Sequence, residues 1–182
     1  MGAIGVFGGS FDPPHVGHVL AVSYALTVAP IDAVIVVPTF RHPFGKAMAP
    51  YADRVAMAEL ALASLRGVSV SRVEEELGGE SYTVRTLEAL HGRMPGVTLR
   101  LLVGADVLPD TPRWREWDRI VTLAPPFVIG RTGSESVLET PDLPAVSSTD
   151  VRGRYAMGAS VERLVPRAVD AYVRAHGLYG AT

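Results

Sequence analysis

Residues 8–18 read GGSFDPPHVGH, and this segment constrains the fold of the chain more than any other. It follows the apolar run AIGVF at residues 3–7 and leads into a second apolar run that begins at residue 19. This order is typical of a buried strand, a tight glycine turn and the start of a helix. The turn is therefore expected at the carboxyl end of a strand, where open α/β sheets bind their ligands.

The residue types within this turn are suited to binding phosphate. Gly8 and Gly9 carry no side chain, so a phosphate can approach the backbone N–H groups closely. Ser10 adds a hydroxyl, while His15 and His18 share one face of the first helical turn, where the helix dipole favours an anion. Paired histidines are also compatible with metal ligation or with plain surface positions, but no third ligand lies nearby. We therefore predict a polyphosphate site and no metal held by protein ligands.

Strand-like and helix-like segments alternate along the rest of the chain. Strands are predicted at residues 3–7, 33–37, 68–70, 98–103, 127–130 and 143–146, and helices at 16–28, 52–65, 83–91, 115–120, 149–157 and 167–176. This alternation implies an α/β fold, a doubly wound parallel sheet with helices on both faces. Residues 131–144 are polar and contain glycine and proline, which predicts a loop.

Composition narrows the class of protein further. A length of 182 residues fits one domain spanning residues 1–182. A net charge of -2 without a cluster of lysine and arginine argues against nucleic acid as the main partner. The chain has no cysteine, no basic leader and no apolar run of ~18 residues, so we expect a cytoplasmic protein without a membrane segment. The sequence leaves open whether it acts as a homo-oligomer.

Polar residues also follow other predicted strands. Gly104 would let a base or sugar pack on the backbone, and the Asp106 carboxylate could accept hydrogens from a ribose. The run SSTDVR at residues 147–152 offers hydroxyls, helix N-terminal amides and one arginine. Each segment has a plain alternative, since an aspartate commonly caps a turn and Ser-Ser-Thr-Asp is a typical helix N-cap.

Several of these segments resemble known signatures. GGSFDPPHVGH is similar to the nucleotidyltransferase signature GxFDPxHxGH, and SSTDVR to the Ser-Ser-Thr-x-x-Arg run of the same superfamily. The segments SYTVRTL at 81–87, W-x-x-W at 114–117 and the tail at 158–179 resemble the nicotinate-nucleotide adenylyltransferase family. The resemblance covers nearly the whole chain. It implies a single nucleotidyltransferase domain of Rossmann-like fold that transfers the adenylyl group of ATP, with Mg²⁺, to nicotinate mononucleotide in NAD biosynthesis.

The resemblance also implies roles for individual residues. His15, His18 and Arg152 would be catalytic. ATP would be bound by residues from three segments: Gly8, Gly9, Ser10, Phe11, His15, His18, Gly104, Asp106, Ser147, Ser148, Thr149 and Arg152. The mononucleotide would be bound by Thr83, Trp117, His42 and Lys46. Among these, Thr83 would lie near the pyridine carboxylate and Trp117 would stack on the ring, leaving Trp114 a structural role.

The chain departs from the family pattern at two places. Its loop after the second strand reads PTFRHPFGK at residues 38–46, where the family has a Pro-Pro-His-Lys type run that helps to hold the mononucleotide phosphate. In addition, Arg85 stands in the SYTVRTL segment, where family members often carry an aspartate.

Other functions are compatible with parts of the pattern. Phosphopantetheine adenylyltransferases share both signatures, although they tend to have threonine in place of His15 and lack the SYT and W-x-x-W segments. Nicotinamide mononucleotide is an alternative acceptor. Class I tRNA synthetases share a similar histidine motif, but this chain has no KMSKS run. A nucleotide-binding regulator without turnover is the alternative from a different class.

Overall fold

The computed structural model describes residues 2–130 and 143–181, which form a parallel sheet with helices on both faces. The strands are β1 (Ala3–Gly9), β2 (Ala33–Pro38), β3 (Val68–Val70), β4 (Thr98–Gly104) and β5 (Pro126–Ile129). The α-helices are α1 (Val16–Val28), α2 (Tyr51–Leu62), α3 (Val73–Leu77), α4 (Thr83–Arg93), α5 (Trp117–Leu123), α6 (Ser148–Ala156) and α7 (Arg167–Ala175). The described elements also include two 3-10 helices, Ala105–Arg113 and Leu178–Gly180.

The order of the described strands is β3-β2-β1-β4-β5, with β1 at the centre. In β1, Val6 pairs in parallel register with Ile35 of β2 on one side and with Leu101 of β4 on the other. The chain therefore extends from β1 to β3 in one direction, and then crosses back to add β4 and β5. This reversal leaves a crevice between the carboxyl ends of β1 and β4, the position at which such sheets bind ligands.

Two apolar clusters lie on opposite faces of the sheet, because successive residues of a strand point to opposite sides. In β4, Leu102 packs in a cluster that contains helices α1, α2, α6 and α7. Its neighbours Leu101 and Val103 pack in the other cluster, with α4 and α5. The predicted α/β fold with helices on both faces is therefore confirmed.

One predicted strand is wrong. Residues 143–146 do not form a strand, since only Leu143 bridges to the sheet, donating its N–H to the Gly130 carbonyl at 3.4 Å. The physical reason is Pro144, which has no N–H to continue a ladder of hydrogen bonds. Sequence reasoning also missed α3 and both 3-10 helices. The loop predicted over residues 131–144 lies outside the described residues except at its last two positions.

Candidate active site

A cavity of about 670 Å³ opens at the carboxyl ends of β1 and β4. Its volume is within the range of small-molecule sites. Nine of the residues predicted for substrate binding line it: Gly8, Gly9, Ser10, His15, His18, His42, Thr83, Gly104 and Asp106. The residues that β1, β4 and α4 present are therefore brought together around one space, as the sequence predicted for the edge of the sheet.

The two histidines hold each other in place at the start of α1. His15 is the N-cap residue, and its backbone N–H donates to Nδ1 of His18 at 3.1 Å, while the ring centroids lie 3.8 Å apart. Since Nδ1 of His18 accepts a hydrogen bond, its neutral ring carries the proton on Nε2. His18 can therefore act as a donor through Nε2 beside the amides of a helix N-terminus.

Gly17 lies between the two histidines, at a position with little room for a side chain. A Cβ at this position would lie 3.0 Å from both Cε1 and Nδ1 of the His15 ring. A side chain here would thus displace that imidazole. The close approach of the ring therefore favours glycine, which is the residue that the pattern GxFDPxHxGH carries at this position.

Phe11 supports the turn from beneath. Its side chain is 1% exposed, and its ring lies 4.9 Å from the ring of His18 between centroids. Its backbone has a φ of 49°, in the left-handed region that is uncommon for residues other than glycine. The side chain is not among the described residues that line the cavity, so its geometry is that of a support for His18.

The SSTDVR run meets the phosphate turn at the start of α6. Ser147 caps this helix by accepting from the Asp150 N–H at 3.0 Å. The Ser148 hydroxyl donates to the Pro13 carbonyl at 2.9 Å, and Nη1 of Arg152 donates to the Asp12 carbonyl at 2.7 Å. These two hydrogen bonds join residues that are 135 and 140 positions apart in the sequence. The two signature segments are therefore in direct contact.

The same run does not reach the cavity wall within the described residues. Seven residues predicted to bind substrate are not among the described residues that line the cavity: Phe11, Lys46, Trp117, Ser147, Ser148, Thr149 and Arg152. Arg152 is engaged with the turn instead, since its Nη2 also donates to the Thr149 hydroxyl at 3.2 Å. Its observed contacts are those of a group that positions the turn.

Asp12 is a residue of this site that sequence reasoning missed. It is 1% exposed, and its Oδ1 accepts from the Tyr179 hydroxyl at 2.7 Å and from the Ala49 N–H at 3.1 Å. Nη1 of Arg152 lies 3.6 Å from its Oδ2. Burial and then the hydrogen bond to Asp12 raise the pKa of Tyr179 far above its ordinary value. This carboxylate thus connects the turn to the loop after β2 and to the end of the chain.

Arg54 connects the same segments from within α2. It is 1% exposed, and donates from Nε to the Ala49 carbonyl and from Nη1 to the Ser10 carbonyl, each at 2.9 Å. Burial lowers its pKa, and the Asp12 carboxylate opposes that shift. The available signal was an arginine on the apolar face of a helix, because such a charge needs partners when buried.

Gly104 and Asp106 form a second close approach at the end of β4. A Cβ at Gly104 would lie 2.5 Å from Oδ1 of Asp106. The carboxylate therefore folds back over a glycine that leaves room for it, and both residues line the cavity. The sequence-based assignment of these two residues to ATP binding stays a prediction.

The opposite wall of the cavity is formed around the start of α4. Thr83 is the first residue of this helix, and Trp114 and Arg115 lie on the same wall. The Trp114 ring packs edge-on against Trp117 at 5.8 Å, and Arg115 lies over the Tyr82 ring at 5.1 Å. Of the two indoles, Trp114 lines the cavity, whereas the sequence-based prediction assigned the ligand role to Trp117.

The loop after β2 contributes His42, Pro43 and Phe44 to the cavity. Nδ1 of His42 accepts from the Phe44 N–H at 3.2 Å, so its neutral ring is a donor through Nε2. Burial, and then the charge of Lys46, lower the pKa of His42 below its ordinary value. Of the two residues predicted from this loop, His42 lines the cavity, whereas Lys46 is not among the described lining residues.

The described residues show neither a cluster of metal ligands nor a membrane-spanning helix. No group of three or more histidine, cysteine, aspartate or glutamate side chains that could hold a metal ion occurs in the part of the chain that the structure describes. None of the described helices combines the length and apolar character needed to cross a bilayer.

The fold and this site define a class of protein. Residues 6–154 match the sequence model of the Cytidylyltransferase-like family. A protein of Anaeromyxobacter sp. (strain K) named probable nicotinate-nucleotide adenylyltransferase is 48% identical over 179 residues, which are 97% of this chain and 96% of the relative. Proteins of the same name from Myxococcus xanthus and Thermus thermophilus are each 40% identical over 97% of this chain, covering 94% and 98% of their own lengths. The chain belongs to the nicotinate-nucleotide adenylyltransferase family, as the sequence motifs indicated.

Solved structures agree on the fold. The nicotinic acid mononucleotide adenylyltransferase of Plasmodium falciparum, complexed with NaAD, superposes with a TM-score of 0.86 at 17% identity, over 100% of this chain and 99% of that one. A putative nicotinate-nucleotide adenylyltransferase from Vibrio parahaemolyticus gives 0.79 at 21% identity, over 100% and 98%. At these identities the likeness concerns the fold alone.

Proposed function

We propose that this protein transfers the adenylyl group of ATP to nicotinate mononucleotide, giving nicotinate adenine dinucleotide and pyrophosphate in NAD biosynthesis. One observation carries the proposal: a single cavity joins the glycine turn with its two histidines to a wall suited to a pyridine carboxylate. The family to which the chain belongs is named for this activity.

The ATP half of the site is the turn between β1 and α1. The glycines give the phosphates access to backbone amides, and the Nε2 hydrogen of His18 adds a donor at the positive end of the helix. Gly104 and Asp106 are proposed to receive the nucleoside part. Although Arg152 and residues 147–149 are not among the described residues that line the cavity, we propose that they reach the triphosphate from the start of α6, which is bonded to the turn.

The mononucleotide half is the wall at the start of α4. Thr83 and the helix N-terminus favour an anion such as the pyridine carboxylate. Arg113 and Arg115 also line the cavity, although each is paired with an exposed carboxylate. Their charge favours the carboxylate of nicotinate over the uncharged carboxamide of nicotinamide. For stacking on the pyridine ring, the position of Trp114 is the better one, and the sequence-based assignment to Trp117 remains the alternative.

The loop of residues 38–46 is proposed to meet the phosphate of the mononucleotide. His42 lines the cavity and presents an Nε2 donor, while the nearby Lys46 adds positive charge. Two such groups can replace the function of the Pro-Pro-His-Lys run that the family usually carries.

The reaction requires no covalent intermediate on the protein. An oxygen of the mononucleotide phosphate attacks the α-phosphorus of ATP in line, a new P–O bond forms, and the bond to the bridging oxygen of pyrophosphate breaks with its electron pair. Positioning and charge stabilisation are the main contributions that a protein can make to such a transfer. His15 and His18 would stabilise the charge that develops on the α-phosphate and on the departing pyrophosphate.

Mg²⁺ is proposed to enter with ATP. Magnesium is commonly held by substrate phosphates and water, and we propose that the phosphates of ATP are its main ligands in this site. Its chemical contribution would be to neutralise phosphate charge.

The proposal is tested by measuring pyrophosphate release with ATP and Mg²⁺ and one of three acceptors. Nicotinate mononucleotide, nicotinamide mononucleotide and phosphopantetheine are supplied in parallel, with an acceptor-free reaction as the control. We expect the highest kcat/KM with nicotinate mononucleotide. A preference for either other acceptor, or ATP binding without pyrophosphate release from any of them, would contradict the proposal.

A further inference from the structure

Arg85 departs from the family pattern, and its hydrogen bonds go to backbone carbonyls. Its Nη1 donates to the carbonyls of Gly78 at 3.2 Å and Glu80 at 3.1 Å, and its Nη2 donates to that of Leu77 at 3.3 Å. Arg85 is not among the described residues that line the cavity. Any effect on the reaction must therefore pass through the turn that it binds.

That turn, residues 78–82, connects α3 to α4 and has little rigidity of its own. Gly78 and Gly79 have φ values of 62° and 71°, so two successive residues adopt a positive φ. Glycine makes this conformation accessible but leaves the chain many others. A planar guanidinium that bonds three carbonyls around the glycine pair restricts those alternatives.

Ser81, which belongs to this turn, makes hydrogen bonds to the loop after β2. The Ser81 N–H donates to the Arg41 carbonyl at 2.9 Å, and its hydroxyl oxygen accepts from the N–H groups of Phe40 at 3.0 Å and Arg41 at 3.1 Å. Ser81 thus makes three hydrogen bonds to the segment that leads into His42.

Glu74 strengthens the same connection from α3. Its Oε2 accepts from the Phe40 N–H at 3.0 Å, and its Oε1 accepts from the Thr86 hydroxyl at 2.9 Å. Glu74, Ser81 and Thr86 all line the cavity. The loop that carries His42 and the helix that carries Thr83 are therefore held at a fixed separation by one continuous set of bonds.

We propose that Arg85 is a positioning residue for the mononucleotide half of the site, acting through the glycine turn and Ser81. It holds Ser81 against the backbone of Phe40 and Arg41, and so fixes His42 relative to Thr83. The inference rests on the proposed function only where it names the substrate. The set of hydrogen bonds that joins Arg85 through Ser81 to the loop carrying His42 does not depend on that function. The atypical 38–46 loop and the atypical arginine are parts of one arrangement.

The kinetic test compares Arg85→Ala, Arg85→Lys and Ser81→Ala with the wild type. We expect Arg85→Ala to raise the KM for nicotinate mononucleotide about tenfold, with the KM for ATP changed less than about twofold. Arg85→Lys should recover part of this loss. Because both residues act through one path, the double variant Arg85→Ala, Ser81→Ala should be no worse than the poorer single variant.

Arg93→Ala is the matched control. Nη1 of Arg93 lies 2.7 Å from Oε2 of Glu76, so this pair also joins α4 to α3 but does not touch the turn. We expect it to leave both KM values unchanged. An equal rise in the two KM values of Arg85→Ala, no rise at all, or the same rise in Arg93→Ala would overturn the proposal.

Hydrogen exchange of the substrate-free protein tests the link without any assay of turnover. In Arg85→Ala the amides of Phe40, Arg41 and Ser81 should exchange faster than in the wild type, while those of β1 and α1 keep their protection. Unchanged exchange at the three amides would refute the link even in an active enzyme. If the wild type releases no pyrophosphate with nicotinate mononucleotide, the proposed function fails separately from this result.

Discussion

Contacts with His15 and Phe11 help to set the orientation of the His18 side chain. The His15 N–H occupies Nδ1, and the Phe11 ring packs at 4.9 Å between centroids. A donor held in this way needs no reorganisation as charge develops on a phosphate, which is the condition under which electrostatic stabilisation is most effective.

Replacing His18 with alanine should therefore impair chemistry far more than folding. We expect His18→Ala to unfold in a cooperative transition like the wild type and to lose at least about 100-fold in kcat. Pyrophosphate release under saturating substrates measures this change. His91→Ala serves as the control, since His91 is exposed on α4. A His18→Ala enzyme with nearly wild-type turnover would refute the assignment.

The two tryptophans provide a second comparison between residues. Trp114 lines the cavity and packs edge-on against Trp117, and both side chains pack against the apolar cluster that contains α4 and α5. We expect Trp114→Ala to raise the KM for the mononucleotide about tenfold, since stacking on an aromatic contributes about 1–3 kcal/mol per base. The KM for ATP should remain constant. A larger effect on the mononucleotide KM from Trp117→Ala, in a protein of unchanged fold, would restore the sequence-based assignment.

Among the elements, the 3-10 helix Leu178–Gly180 has the most distant influence on the site. The Tyr179 hydroxyl donates to the buried Asp12 carboxylate, which lies 167 residues earlier in the turn. The end of the chain therefore holds the turn that carries the histidines. A hydrogen bond to a charged group contributes about 1.5–3 kcal/mol to stability.

Tyr179→Phe should lower both the stability and kcat. Each lost kcal/mol should lower Tm by about 2–4 °C for a chain of this size. The control is Tyr172→Phe, whose hydroxyl donates to Asp53 at 2.8 Å between α7 and α2. This variant should lose stability but keep its kcat. Calorimetry together with steady-state kinetics makes the comparison, and equal kcat values for the two variants would argue against a role for Tyr179 in the turn.

The loop after β2 is the element in which pH matters most directly. Because the pKa of His42 is lowered, its ring is neutral above about pH 6.5 and binds a phosphate as an Nε2 donor without charge. The ring becomes a cation only as the pH falls through that lowered pKa.

We therefore expect the ratio of mononucleotide KM values, His42→Ala to wild type, to stay constant between about pH 7 and 9. Below that range the ratio should rise, because the wild type alone gains a positive charge beside the phosphate. Using a ratio removes the titration of the substrates from the comparison. A ratio that falls steeply as the pH rises from about 7 to 9 would mean that His42 works as a cation at neutral pH, contrary to this account.

At the scale of the whole molecule, the strand order brings the predicted segments together. Local patterns were sufficient for the strand–helix alternation, the glycine turn and the start of α6, because each is set by neighbours in sequence. The crevice between β1 and β4 depends on which strands pair, and no local pattern encodes the order β3-β2-β1-β4-β5.

The supports of the site were not predictable for the same reason. Asp12, Arg54 and Tyr179 each make at least one hydrogen bond that spans between 37 and 167 residues. Ser81 bonds to a loop 40 residues away. The prediction of a strand at residues 143–146 was wrong for a local reason: Pro144 has no N–H to donate to a neighbouring strand. Which of the two tryptophans lines the cavity depends on where the cavity lies, so the local sequence could not show it.

The central claim is that one cavity holds both substrates, with the triphosphate between the β1 turn and the start of α6. A crystal structure of the protein with a non-hydrolysable ATP analogue and nicotinate mononucleotide tests it most directly. The account predicts phosphate oxygens within hydrogen-bond distance of the 8–18 segment and of residues 147–152. It also predicts that an oxygen of the mononucleotide phosphate lies about 3–3.5 Å from the α-phosphorus. A triphosphate bound away from either segment, or a mononucleotide outside this cavity, would contradict it.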